Sequence, residues 1–394
     1  MQHRIVVLGA GYTGAFAAGR LARRLHREDV AVTLVNAEPD FVERVRMHQL
    51  ATGQELRPRP FSEMFAGTGV ELRLGSVTGV DVDRKTVSVV AADGAEELPY
   101  DTLVYALGSA WNPQGVPGTA EHAYEIAGRP GALRLRERLN GLGAGQSVVV
   151  VGGGLTGVEA ATEIAEARPD LRVALAASGA LGGWLSPKGR AHLRKVFGRL
   201  GITAHEHTTV AAVEPDRVTT ADGTAIPAAV TVWTAGFAVH PIAAATALEL
   251  AANGQIVVDD TMRSVSHPDV YAIGDAARVM GPGDKPLRMS CASGLPTAWQ
   301  AADAIAARLT GGKLPHAPLR YFNQCVSLGR KEGLIQYVTA DDRAVSAALT
   351  GRFAAVYKEL VCKGAAWGVA HPMFGMPARP RRVLREGSAA GAVA

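Results

Sequence analysis

The chain has 394 residues, 47% of them hydrophobic and 20% charged, with a formal net charge of +4. That is enough for two or three domains with large buried cores, and too mild a charge to call for a nucleic-acid partner. Cys291, Cys325 and Cys362 stand far apart without a CxxC, which argues against a zinc site or a disulfide framework and fits a reducing compartment; no metal is expected.

No apolar run reaches the length of a membrane span, and the apolar N-terminus serves a glycine turn rather than a secretory signal, so the expected location is cytoplasmic. Residues 5–8 form an apolar strand that runs into Gly9, Gly11 and Gly14, a GxGxxG followed by small and apolar residues at helical spacing. In such a turn the first glycine permits the bend, the second lets a pyrophosphate approach the backbone, and the third lets helix and strand pack closely. The helix N-terminus then faces the phosphates. The pattern returns further on, where residues 148–151, all valine, lead into Gly152, Gly154 and Gly157. One GxGxxG is weak evidence. Two, each between a strand and a helix, point to a protein that holds two dinucleotides, for which redox chemistry is the usual reason.

After the first turn, residues 30–41 read as the second strand of a βαβ unit, with Asn36 where an acid usually holds a ribose hydroxyl. Asparagine can still bond a hydroxyl, and Glu38 stands nearby as a substitute; loss of the site and an ordinary turn asparagine are the competing readings. Residues 42–53 place Arg44, Arg46 and His48 at roughly helical spacing. Contact with phosphate or flavin competes there with solvated helix charges, and the solvated reading is preferred for Arg46 and His48. The segment has no cysteine, although a dithiol reductase of this architecture would carry its redox pair here or in the second nucleotide domain. Short alternating runs from 70 to 90 read as strands, closed by a turn at Asp93 and Gly94. A buried strand over 102–107 then meets Gly108, and the proline-rich stretch behind it marks the first crossing between domains.

In the second unit the strand after the glycine turn ends at Ala177 and Ser178, where an acid would select NADH. Without a carboxylate a 2′-phosphate is not repelled, and Ser178, Lys188 or Arg190 are candidates to receive it, so the choice between NADH and NADPH stays open. A strand over 230–237 has Gly236 at its exit, and a later one ends in Gly274 and Asp275. An aspartate there can reach ribityl and phosphate groups, although Gly-Asp alone is only a turn signal. A helix is expected to start near 293–296 and to stop at Gly311, with Pro296 in its first turn and its N-terminus favouring negative charge. Trp299 reads as a core residue before a ring-stacking one. In the last part a helix over 351–367 carries an apolar stripe of Phe353, Val356, Tyr357, Leu360 and Val361, with Arg352, Lys358, Glu359 and Lys363 mostly opposite. Packing on the body of the protein is the default, and lying on a membrane where a lipid quinone enters is the functional alternative. Arg379, Arg381, Arg382 and Arg385 read as a solvated basic tail, with attraction to an anionic membrane as the sharper alternative.

Taken together, GAGYTG, LVYALGS, GGGLTGVE, VWTAGF and VYAIGDAA occur in an order and spacing that resembles the flavoproteins with two dinucleotide domains. The chain looks most like type II NADH:quinone oxidoreductases and the related apoptosis-inducing-factor-like group that includes the ferroptosis-suppressor quinone reductases. The resemblance covers nearly the whole chain. It implies an α/β fold of two Rossmann-like domains in a glutathione-reductase-like arrangement with a small C-terminal domain. Residues 1–111 plus 240–314 would bind FAD, 112–239 would bind NAD(P)H, and 315–394 would form the C-terminal domain. Gly9, Gly11, Gly14 and Asp275 would then hold FAD, with Gly108 at the crossing and Val77 offering backbone to adenine, and Arg44 joins them as a candidate. Gly152, Gly154, Gly157 and Gly236 would hold the nicotinamide cofactor. Glu159 matches the family's glutamate beside nicotinamide and flavin, against the alternative of a water-exposed helix-end charge. Lys358 matches a lysine near the flavin edge. Two departures bear on this: the segment ASGLPTAWQ has only Gln300 where the type II enzymes are glutamine-rich, and Asn36 and Ala177 replace the ribose acids.

The expected activity is hydride transfer from NAD(P)H to FAD, then electron transfer to a quinone or quinone-like small molecule. A peripheral membrane contact through the C-terminal helix, at the inner face of the membrane, and a homodimer are both compatible with it. A tailoring flavoenzyme, a ferredoxin reductase and, more remotely, an NAD(P)H-sensing flavoprotein are the competing readings.

Overall fold

The computed structural model describes residues 1–384 except 317 and 378. The two valine-rich runs become strands His3–Leu8 and Ser147–Val151, and each is the centre of a five-stranded parallel sheet. In the first sheet the order is Val270–Ala272, Thr102–Tyr105, His3–Leu8, Val30–Asn36 and Val70–Leu74. In the second it is Thr203–His205, Arg172–Ala176, Ser147–Val151, Val230–Trp233 and Ala123–Glu125. Parallel strands covered on both faces need unbroken apolar runs, and Ile5, Val7, Leu8, Val148, Val149 and Val150 are accordingly fully buried. In both sheets the strand order reverses at the glycine-turn strand, so a crevice opens at its carboxyl end.

The outgoing crossing between the sheets, Ser109–Trp111, pairs antiparallel with the returning one, Phe237–Val239. Among the described residues, three three-stranded antiparallel sheets, one two-stranded parallel pair and one two-stranded antiparallel pair complete the molecule. One of them, Asn323–Ser327, Gly333–Val338 and Ala344–Thr350, carries the C-terminal helix Arg352–Ala370.

The first glycine-turn helix, Tyr12–Arg24, packs on helix Cys291–Thr310 through small buried residues, among them Ala15, Ala18, Ala298 and Ala301. Arg20 is buried there, with Asp303 at 2.7 Å and Trp299 under its guanidinium at 4.2 Å. The Trp299 ring stacks on Phe374, as a core residue does. Helix Cys291–Thr310 starts earlier than expected, with Ser290 as its N-cap, so Pro296 lies inside the helix instead of in its first turn. Gly311, at φ 65°, stops it as anticipated.

Two further sequence expectations are overturned. Arg46 and His48 are buried, not solvated. The C-terminal helix is also turned about. Phe353 is 81% exposed and Leu360 63%, with Val356 exposed as well, while Lys358 and Glu359 point inward to ion pairs with Glu159 and Arg46. Buried opposite charges from distant parts of the chain override the apolar periodicity. Near the C-terminus Arg382 is paired with Asp29 and Glu28, and Arg385 lies outside the described residues.

Candidate active site

The two glycine turns have the same geometry. Gly9 and Gly152 take φ of +88° and +122°, which favour glycine. A Cβ on Gly14 would come within 1.8 Å of the Gly9 carbonyl oxygen, and one on Gly157 within 1.9 Å of that of Gly152, so helix and strand touch backbone to backbone. Around Gly11 and Gly154 nothing among the described residues lies within 4 Å of a built Cβ, which leaves these backbones open to a ligand.

A cavity of about 1130 Å³ runs from the first turn, past the crossing and the second turn, to the inner face of the C-terminal helix. Gly9, Gly11, Asn36, Arg44, Val77, Gly108, Asp275, Gly154, Glu159, Gly236 and Lys358 line it. Gly14, Gly152 and Gly157 stand behind that wall as packing glycines, and Ser178 lies exposed outside it. Asn36 steadies the first turn, because its Oδ1 accepts from the Ala10 N–H at 2.9 Å and its Nδ2 donates to the Glu38 carbonyl. Arg44 donates to the carbonyls of Ser109 and Ala127, each at 2.8 Å, and so ties the crossing to the second sheet's side. Asp275 accepts from the Ser109 hydroxyl at 2.6 Å. The first turn of helix Cys291–Thr310 also faces the cavity, and its free N–H groups favour negative charge there.

At the far end Lys358 Nζ lies 3.1 Å from Glu159 Oε1, which also accepts from the Ser327 N–H at 2.9 Å. Glu159 is 5% exposed, so the water-exposed reading is wrong. Burial opposes the Lys358 charge, but Glu159 outweighs it and holds the ammonium above its ordinary range. Beneath the pair, Arg46 grips Glu359 through two bonds of 3.0 Å and Glu43 through a third. Burial alone would raise the Glu359 carboxyl, yet Arg46 and Arg330 bring it down to about 2. His48 lines the cavity with its Nε2 unpartnered among the described residues, and burial lowers its pKa to about 4.

Residues 3–306 match the family model described as pyridine nucleotide-disulphide oxidoreductase. The chain belongs to the pyridine nucleotide-disulphide oxidoreductase family. Within it, the chain is 32% identical over 318 residues to an NADH dehydrogenase-like protein of Mycobacterium tuberculosis, covering 74% of this chain and 77% of the relative. It is 27% identical over 370 residues to a type II NADH:quinone oxidoreductase of the same organism, covering 82% and 76%. The sulfide:quinone oxidoreductase of Aquifex aeolicus shares the fold, with a TM-score of 0.77 at 19% identity over 98% of each chain.

As a member of this family the protein is an NAD(P)H oxidoreductase that carries FAD. The cavity fits that group. Its volume is about 1130 Å³, it reaches the backbone left open at Gly11, and its wall includes a helix N-terminus and Asp275. No disulphide occurs among the described residues. All three cysteines nevertheless line the cavity, which their distant positions in sequence concealed, and burial pushes the Cys291 and Cys325 thiols up to about 11. At neutral pH such thiols are protonated and poor nucleophiles. A signal for the cavity face did exist in the C-terminal helix: Lys358, Val361, Cys362 and Ala365 recur at helical spacing and all line the cavity.

Proposed function

We propose that this enzyme reduces a quinone-class acceptor with NAD(P)H. The observation that carries the reading is the cavity's reach from the first glycine turn to the buried Glu159–Lys358 pair on the inner side of a helix whose outer side is apolar and exposed. An acceptor that partitions into lipid would meet Phe353, Val356 and Leu360 on that outer side before entering. The quinone-reducing relative supports the same acceptor.

FAD, when bound, would supply the two-electron redox chemistry that links nicotinamide to acceptor. The chain's own residues set the stage. Gly11 and Gly154 admit the two pyrophosphates to their helix N-termini. Ser109 orients Asp275 toward the ribityl region, and Asn36 holds the first turn. Val77 would present backbone to the adenine, Gly108 and Arg44 would fix the crossing, and Gly236 would border the nicotinamide, a reading supported by all four lining the cavity. Ser178, exposed beyond the cavity, is the candidate to receive a 2′-phosphate if NADPH is the donor. Lys358, kept cationic by Glu159, stabilises negative charge as it develops on the acceptor. Gln300 has no part in this, because it is buried and donates to the Asp260 carbonyl. We further propose FAD binding by 1–111 plus 240–314, NAD(P)H binding by 112–239, and peripheral membrane contact through the C-terminal helix.

Anaerobic stopped-flow tests the reading. NADH or NADPH is expected to bleach the yellow protein, and a soluble quinone to restore the colour. Bleaching without recovery would discard the quinone and keep the flavin chemistry.

A further inference from the structure

Glu163 sits one turn beyond Glu159 on the same face of helix Leu155–Ala167. It is 2% exposed. Gln54 donates to its Oε1, while its Oε2 is buried without a partner among the described residues. Three residues further, half-buried Glu166 accepts from the backbone N–H of Arg330. A row of carboxyls therefore leads from the cavity wall to the surface along one helix face. The charged groups acting on Glu163 are Arg330 from the loop opposite, and Glu166 and Glu159 from its own helix. Arg330 is itself engaged with Glu359 at 3.2 Å.

A buried carboxylate with one oxygen unbonded is costly, and the neutral acid costs less at the same site because it carries no charge to desolvate. Burial accordingly raises the Glu163 pKa to about 7. The other groups near the cavity do not serve as a proton store. His48 is neutral at this pH, the Cys325 thiol holds its proton up to about 11, and the Lys358 proton is held by Glu159.

We propose that Glu163 is the proton reservoir of acceptor reduction, passing its proton along the helix face to the Glu159–Lys358 pair and refilling from water at the Glu166 edge. The inference rests on the quinone reading above. The balance is NAD(P)H + H⁺ + quinone → NAD(P)⁺ + quinol. The nicotinamide C–H bond breaks and supplies two electrons and one hydrogen. The second hydrogen is the proton released by the Glu163 O–H, taken up by the Glu159 carboxylate and given on from it to the acceptor oxygen while Lys358 stays cationic, and both quinone carbonyls become hydroxyls. Glu163 then regains a proton from water.

The test uses the FAD-loaded full chain and Glu163→Gln, which keeps the shape and the bond from Gln54. Two acceptors are compared: a soluble quinone, which needs a proton, and ferricyanide, which takes electrons alone. The ratio of quinone to ferricyanide turnover is expected to fall at least about tenfold in E163Q. The decline of wild-type quinone turnover above about pH 7 is expected to vanish with it. Infrared titration is expected to show a protonated carboxyl band that titrates in the same range and is missing in E163Q. Equal losses with both acceptors, an unaltered ratio, or no titrating band would overturn the reservoir. A wild-type enzyme that reduces ferricyanide and no quinone would instead overturn the acceptor reading, and the proton's destination with it.

Discussion

Lys358 and Glu159 form a buried ion pair of 3.1 Å that joins the C-terminal helix to the second glycine-turn helix. Removing one partner leaves the other charge uncompensated in a buried site. Lys358→Met is expected to cost about 3 kcal/mol of stability and to slow quinone reduction about tenfold or more, with flavin bleaching by NAD(P)H affected less. Denaturant unfolding and the two stopped-flow half-reactions measure these effects. Comparable loss in both half-reactions would refute a role toward the acceptor.

His48 gives a pH signature. Its folded pKa, about 4, lies below the unfolded 6.5, so the native state resists protonation. Its contribution is complete above pH 6.5 and is lost as pH falls toward 4, by up to about 3 kcal/mol. Urea midpoints at pH 7 and pH 4.5 are expected to lie closer together for His48→Gln than for the wild type.

Glu163 has the opposite sign. Its pKa is raised from 4.5 to about 7, so its protonated burial stabilises fully below pH 4.5, and that stability declines as pH rises to about 7. The loss is on the order of 3 kcal/mol. E163Q is expected to remove this decline in the same urea series.

The glycine turns separate packing from binding. Gly14→Ala places a methyl 1.8 Å from a carbonyl oxygen and is expected to cost more than about 3 kcal/mol and to lose FAD. Gly11→Ala meets nothing among the described residues, so thermal stability of the apoprotein is expected to hold within about 0.5 kcal/mol while FAD retention falls. Equal FAD retention in G11A and the wild type would count against pyrophosphate at that turn.

The exposed stripe predicts membrane association. Wild type is expected to float with liposomes, and a Phe353→Ser, Val356→Ser, Leu360→Ser triple variant to stay behind while keeping turnover with a soluble quinone. Wild type that does not float would end the idea.

The nucleotide-binding part of the fold was legible because its constraints are local. Gly9, Gly14, Gly152 and Gly157 each satisfy a condition set by neighbours within a few residues or on the adjoining strand. What escaped was set by residues far apart. Arg46 is buried because Glu359, over 300 positions away, meets it, and a charged residue at helical spacing carries no mark of such a partner. The C-terminal helix was misread for the same reason: its apolar residues outnumber the few charges that fix its orientation. The gathering of Cys291, Cys325 and Cys362 around one cavity is a product of chain topology, and spacing rules for ligands and disulfides do not detect it.

The chain leaves the first sheet through Ser109–Trp111 and returns through Phe237–Val239, and these two segments are bonded side by side. Glu159, Glu163 and Glu166 all lie between these two neighbouring attachment points, whereas Lys358, the partner of Glu159, lies outside them. A foreign module grafted between these ends would therefore have to bring its own carboxylate for Lys358 and its own carbonyl for Arg44, so the two halves of the chain are not free to change independently.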